Sequence, residues 1–214
     1  TLNFSSSDLK KILNLNGFLN LFSISKNLFV RTMILVSVQA YLIKKSGLIG
    51  VDQLATMEIL IVIFGLSSYT LDAFAHAAES TVGVSIGSKN KKNIYKSIKN
   101  TTEFALTFSV LIGIVLYITD YYIINLFTNI SILQGLTIDL WSLVIITPFI
   151  SMLAFQLDGI FIGATLAKEM RNSMILSSLI FYLIIEFIIQ DTLNLKNLYS
   201  CFLLFLILRG VFLT

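Results

Sequence analysis

Long apolar runs separated by short polar gaps dominate this chain. Six of them are long enough to matter: Leu28–Lys45, Leu54–Ala78, Thr102–Ile124, Leu133–Phe155 continuing to Gly163, Ser173–Ile189, and Leu198–Thr214. A helix crossing a bilayer needs roughly 20 mostly apolar residues, because each residue rises about 1.5 Å and the hydrocarbon core is about 30 Å thick. The gaps carry turn chemistry, as in Lys44-Lys45-Ser46-Gly47, Gly87 to Asn93 and Lys168 to Asn172. Strands of a membrane barrel would be about 10 residues long and would alternate in polarity; these runs are continuous. The expected fold is all-α, a polytopic membrane protein with six transmembrane helices.

The pattern divides the chain unevenly. Residues 1–26 are polar and then weakly apolar, with Leu13, Phe18, Leu19, Leu21 and Phe22 set among asparagines. That suits a short helix lying at the membrane surface. The segment lacks the charged start, apolar stretch and cleavage site of a signal peptide. With no initiator Met, it reads as a linker entering the second half of a longer protein. Residues 27–214 form the expected six-helix unit.

Composition narrows the class further. The chain has 214 residues, 56% hydrophobic and 13% charged, with a mean hydropathy of +0.87. A soluble domain carries about 25% charged residues, so too little polar surface exists here to coat one. One cysteine, Cys201, excludes an internal disulfide scaffold. The net charge of +3 could suggest nucleic acid, but its distribution points elsewhere. Twelve of the fifteen Lys and Arg fall on one side of a six-span topology, with only Lys44, Lys45 and Lys196 opposite. Basic loops stay cytoplasmic, so both termini are expected inside, the bases are read as loop charges, and no nucleic-acid partner is expected.

Ionisable residues inside spans are costly and mark candidate function. The second span is richest: Glu58, Gly65, Asp72 and Glu79 recur every seven residues, with His76 four beyond Asp72. Helical geometry places them on one face, Asp72 to Glu79 along about 10 Å. Two readings stand. Asp72, His76 and Glu79 form a proton or cation relay on an aqueous cavity, or they sit at the interface bonded to loop backbone and lysines. Glu58, near the outer end, reads as solvated, and so does Glu186.

The fourth span holds Pro148, the chain's one proline, then Gln156 and Asp158. Proline within a helix removes a backbone hydrogen bond and crowds the preceding turn, so a kink is expected, and Pro148 and Gln156 are gating or cavity candidates. Gln39 in the first span is another. Gly159 and Gly163, like Gly83 and Gly87, have the small-xxx-small spacing of closely packed helices. The chain has no phosphate-binding Gly-x-x-x-x-Gly-Lys-Ser/Thr loop, no His-Glu-x-x-His and no Gly-x-Ser-x-Gly elbow. An enzyme is not expected, and neither is a bound cofactor or metal.

The run Leu71-Asp72-Ala73-Phe74-Ala75-His76-Ala77-Ala78-Glu79, leading to Val82-Gly83 and Gly87, resembles the second-half signature of the MATE (multidrug and toxic compound extrusion) family, in its DinF-like branch. Phe155-Gln156-Leu157-Asp158-Gly159 through Thr165, then Met170-Arg171-Asn172, is a second match, and Phe29-Val30-Arg31-Thr32 a third. They follow the family's order over roughly Lys26 to Thr214. Ala73 stands where the family usually has glycine, and Glu58 matches no motif.

The resemblance implies a carboxy-terminal lobe, helices seven to twelve of a twelve-helix transporter whose two lobes share a central cavity and rock to give alternating access. It implies export of small organic cations across the bacterial inner membrane in exchange for protons or sodium ions. Asp158 matches the acidic position that helps bind the cation in sodium-coupled members, so a sodium ion could bind there. Asp72, His76 and Glu79 match the eighth-helix motif. The implied partners are membrane lipids and the amino-terminal lobe, which carries the branch's proton-coupling aspartate. Two alternatives remain: a lipid-linked oligosaccharide flippase of the same superfamily, whose cavity would need several basic residues, and an inactive half-gene remnant or membrane scaffold.

Overall fold

The structure, a computed structural model, describes residues 15–214, with side-chain surroundings for residues 19 and 21–214. It is helical throughout: α1 Leu15–Ile49, α2 Val51–Gly87, α3 Lys91–Ile118, α4 Asp120–Phe127, α5 Ser131–Asp139, α6 Trp141–Gly163, α7 Ala167–Phe187 and α8 Leu195–Val211. A 3₁₀ turn, Gln190–Thr192, precedes α8. Five helices (α1, α2, α3, α6 and α7) are long and apolar enough to cross a membrane. The sixth expected span is α8, which has 17 residues, about 25 Å of helix and at the short end of the spanning range.

Two expected spans divide. The run read as Thr102–Ile124 breaks at Thr119, whose hydroxyl donates to the Val115 carbonyl at 2.6 Å; α4 then starts at Asp120. The run read as Leu133–Gly163 breaks at Leu140. There the buried Trp141 donates its indole N–H to the Leu116 carbonyl at 3.0 Å, fixing the start of α6 against α3. The helix runs unbroken through Pro148, so the interruption lies at Leu140 and not at the proline. No boundary falls at residue 26 either. α1 is continuous from Leu15 to Ile49, while Leu13 and the rest of residues 1–14 lie outside the described residues.

α6 is the hub, because its buried positions point in every direction: Trp141, Thr147, Met152, Phe155, Gln156 and Asp158 are all covered. It packs on α2, α3 and α8, while α1 lies mainly against α7. Aromatic rings join the inner faces. Phe64 of α2 meets Phe202 of α8 edge-on at 5.0 Å, and Phe181 of α7 meets Phe205 at 5.8 Å. Four polar contacts bind α1 to α7. Arg171 Nη1 donates to Asn27 Oδ1 at 2.8 Å, Ser37 and Tyr182 hydroxyls lie 2.9 Å apart, and Tyr41 and Lys45 both hold Glu186. Glu186 is thus a helix-to-helix tie.

Lipid tails offer no hydrophobic drive between helices, so backbone proximity must supply the packing. α2 and α6 achieve it through glycine. A Cβ on Gly159 would stand 2.1 Å from the Ala75 carbonyl oxygen, and one on Gly163 would stand 2.5 Å from that of Glu79. A Cβ on Gly83 would stand an ordinary 3.4 Å from the Gly163 carbonyl oxygen, whereas one on Gly87 would meet nothing within 4 Å among the described residues. Gly159→Ala should cost about 1–3 kcal/mol through overpacking against rigid backbone and lower the detergent melting temperature. Gly87→Ala should leave it unchanged.

Two hairpin turns use the same helix stop. After α2, the Asn90 N–H bonds the Ser85 carbonyl at 3.3 Å; after α6, the Leu166 N–H bonds that of Phe161 at 2.8 Å. Such stops place one residue in the left-handed region, normally glycine. Here Lys89 (φ 53°) and Thr165 (φ 60°) occupy it. A β-branched residue is strained there. Thr165→Gly should relieve about 1 kcal/mol and raise the melting temperature.

Candidate functional site

Asp158 sits three turns of α6 beyond Pro148 and is 4% exposed. A carboxylate cannot remain charged in an apolar interior without compensation, and two arginines provide it. Arg31 of α1 and Arg209 of α8 both bond its Oδ2 through Nη2. Arg209 is 1% exposed, its guanidinium 5.2 Å from the Phe155 ring centre. Among the described residues its Nε and Nη1 have no hydrogen-bond partner, so Asp158 and the Phe155 face are what hold it. The Ser173 hydroxyl of α7 donates to the Arg209 carbonyl at 2.9 Å. Four helices therefore converge on one charge cluster.

These arginines correct the sequence reading. Arg31 and Arg209 were counted with the loop bases, yet both lie within helices and face Asp158. The missed signal was available, since an arginine inside Leu206-Ile207-Leu208-Arg209-Gly210 is an ionisable group within an apolar run. The expected sodium site at Asp158 also changes character. One carboxylate facing two guanidinium groups leaves a positive surplus, which repels a bare cation.

Asp72 is half-buried on α2, within the electrostatic reach of both Arg31 and Arg209. The glycine contacts bring it there, because Ala75 and Glu79 are the residues against which α6 is pressed. His76 is exposed, and its Nδ1 lies 3.3 Å from Glu79 Oε2. The stripe thus forms a graded row, from the half-buried Asp72 to the open His76–Glu79 pair. Ala73 is exposed, so the methyl in place of the family's glycine meets no opposing helix. Glu58 is exposed farther along α2, as expected of a solvated group.

The remaining candidates do not join the cluster. Gln156 is 2% exposed, and its Nε2 donates to the hydroxyls of Thr101 at 2.7 Å and Thr102 at 3.2 Å. It ties α6 to α3. Pro148 is buried between Thr147, bonded to the Tyr199 hydroxyl at 3.0 Å, and Ser151, which donates to the proline's carbonyl at 3.3 Å. Gln39 is half-buried on α1. Cys201 is buried and unpaired. No group of three or more metal-ligating side chains occurs among the described residues.

Long apolar helices around a buried Arg31–Asp158–Arg209 cluster are the build of a polytopic membrane protein. A family model, MatE, matches residues 28–193, and the chain belongs to the MatE family, a family of transporters. It is 26% identical over 195 residues to the DNA damage-inducible protein F of Escherichia coli (strain K12), a match covering 91% of this chain and 42% of that protein. The chain thus spans less than half the length of this curated relative. No solved structure matches it.

Removing Asp158 leaves two guanidinium groups facing each other, one of them wholly buried. Removing Arg209 leaves a matched Arg31–Asp158 pair. Asp158→Ala should therefore lose about 3–5 kcal/mol, as when one member of a buried ion pair is deleted, and Arg209→Met distinctly less. Thermal unfolding of the two purified variants in detergent checks the order.

Proposed function

We propose that this chain is the carboxy-terminal lobe of a cation-coupled antiporter that exports small organic cations across the bacterial inner membrane. In this reading the lysine-rich end and both termini face the cytoplasm, as the charge distribution expects. The observation that carries it is the pair of acids near two arginines, one buried (Asp158) and one half-buried (Asp72). Asp158 offsets one of the two arginine charges and holds α1, α6 and α8 together. Asp72 is the carboxylate left to exchange a proton for a cationic substrate. The arginines beside it disfavour a bare sodium ion and favour a proton, which can be carried as a neutral carboxyl.

Exposure of Asp72 to the other side of the membrane as the lobes rock would complete the exchange. A proton is worth about 2.3 kcal/mol per 100 mV of membrane potential, enough to bias such an equilibrium roughly fifty-fold. His76 and Glu79 follow Asp72 along α2 as the exposed end of the same row. The flippase alternative needs basic groups that reach a pyrophosphate. Arg209 is shut inside and Arg31 is held by Asp158, so neither offers a free guanidinium.

The test is export of a fluorescent organic cation from proteoliposomes containing the whole transporter under an imposed proton gradient. Asp72→Asn should lower gradient-driven export about tenfold or more, within the range of ordinary coupling energies, without changing the melting temperature. Asp158→Asn should lower both. Undiminished export by a well-folded Asp72→Asn variant would remove Asp72 from the coupling step.

A further inference from the structure

The seam between α2 and α3 has two openings that the transport reading does not use. At the lysine-rich end lies a cleft of about 570 Å³, with Ser80, Thr81 and Val84 on one wall and Asn93, Lys96 and Asn100 on the other. Its floor is closed where the Ser85 and Ser97 hydroxyls meet at 3.1 Å. No acidic side chain lines it. Lys92, one turn before Lys96, is exposed on the same helix, and Lys89 stands in the preceding turn. The Ser80 and Thr81 hydroxyls donate to carbonyls of their own helix, so the lysine and the Asn93 and Asn100 amides, at the end of a membrane helix, are the donors that make a pocket for a phosphate.

The second opening is an apolar groove of about 430 Å³, walled by Leu66 and Thr70 of α2, Phe108 and Leu111 of α3, and Ile123 and Phe127 beyond. One helical stripe links the two. Leu66, Thr70, Ala73, Ala77, Thr81 and Val84 follow at intervals of three or four residues, and all six are exposed. The two alanines between the openings keep the wall low. Thr70 and Thr81 are eleven residues apart, about 16 Å along the axis, which is about half the hydrocarbon thickness of a bilayer. The near edge of the groove, at Thr70 and Phe108, is thus one leaflet deep from the cleft, and its far lining at Ile123 and Phe127 lies beyond.

We propose that this seam is a binding site for an anionic glycerophospholipid. Its phosphate lies in the cleft against Lys96, Asn93 and Asn100, and an acyl chain runs over Ala77 and Ala73 to the near edge of the groove at Thr70. Charge complementarity selects the lipid, because basic pockets between helix ends bind acidic headgroups. Lys99 is half-committed to Glu103, 3.8 Å away, which leaves Lys96 and Lys92 as the principal cations. The site is separate from Asp72 and Asp158 and does not depend on their role.

Native mass spectrometry of the whole transporter, titrated with phosphatidylglycerol, phosphatidylcholine or inorganic phosphate, tests it. Phosphatidylglycerol should remain bound where phosphatidylcholine is lost, and millimolar phosphate should not displace it. Lys96→Gln should weaken retention about fivefold, the effect of one lysine at an anionic membrane surface, and Val84→Trp should abolish it by filling the cleft. Lys168→Gln, exposed elsewhere at the same end, should change nothing. Equal losses from Lys96→Gln and Lys168→Gln would mean unspecific attraction and overturn the site. So would displacement by phosphate, or full retention by a Val84→Trp variant with an unchanged melting temperature.

Discussion

A carboxylate held deep in an apolar bundle is the constraint around which this fold is organised. Isolated, the Asp158 charge would be untenable there. It persists because Arg31 and Arg209 arrive from two other helices and because the second of them lies on the Phe155 ring. The positions of α1, α6 and α8 are therefore set by one oxygen atom, and Ser173 extends the arrangement to α7. Such a cluster specifies geometry more than it adds stability, since a well-packed apolar substitute is often as stable.

Glycine provides the second kind of order. Gly159 and Gly163 let the α6 backbone lie directly on the Ala75 and Glu79 carbonyls, at separations where Cα–H groups meet carbonyl oxygens. Since Gly159 follows Asp158 in the chain, close packing and charge pairing are properties of one helical turn. This is why Asp72, on a helix that makes no direct ion pair with the cluster, still lies in the arginines' field.

Much of the fold was legible because a bilayer imposes length and polarity on every span. The errors came where a local side chain overrides that average. Asp120 and Asp139 stand beside the breaks at Thr119 and Leu140, but the apolar average on either side outweighs a single acid, and hydroxyl back-bonding and the Trp141 contact accompany the breaks. Asp158 and Asp72 were visible as acids in spans, and the glycine spacing at 159 and 163 was meaningful. The same spacing at Gly87 was empty. Arg31 and Arg209 were hidden by the habit of assigning bases to loops, and the use of Gln156 depended on α3 hydroxyls 54 and 55 residues away. Pairings between distant helices leave no local trace in a single sequence.

The cluster's members are also widely spaced in time of synthesis. Arg31 precedes Asp158 by 127 residues, and Arg209 follows it by 51, only a few positions before the last described residue. Threading from the ribosome thus delivers a cation, then the acid, then a second cation. A nascent chain that stops short of α8 holds Asp158 against Arg31 alone, without the guanidinium that fills the space beside Phe155. The charge cluster is consequently complete only once α8 has entered the membrane, and quality-control machinery that senses unpaired charge within the lipid phase would find the cluster lacking one partner until then.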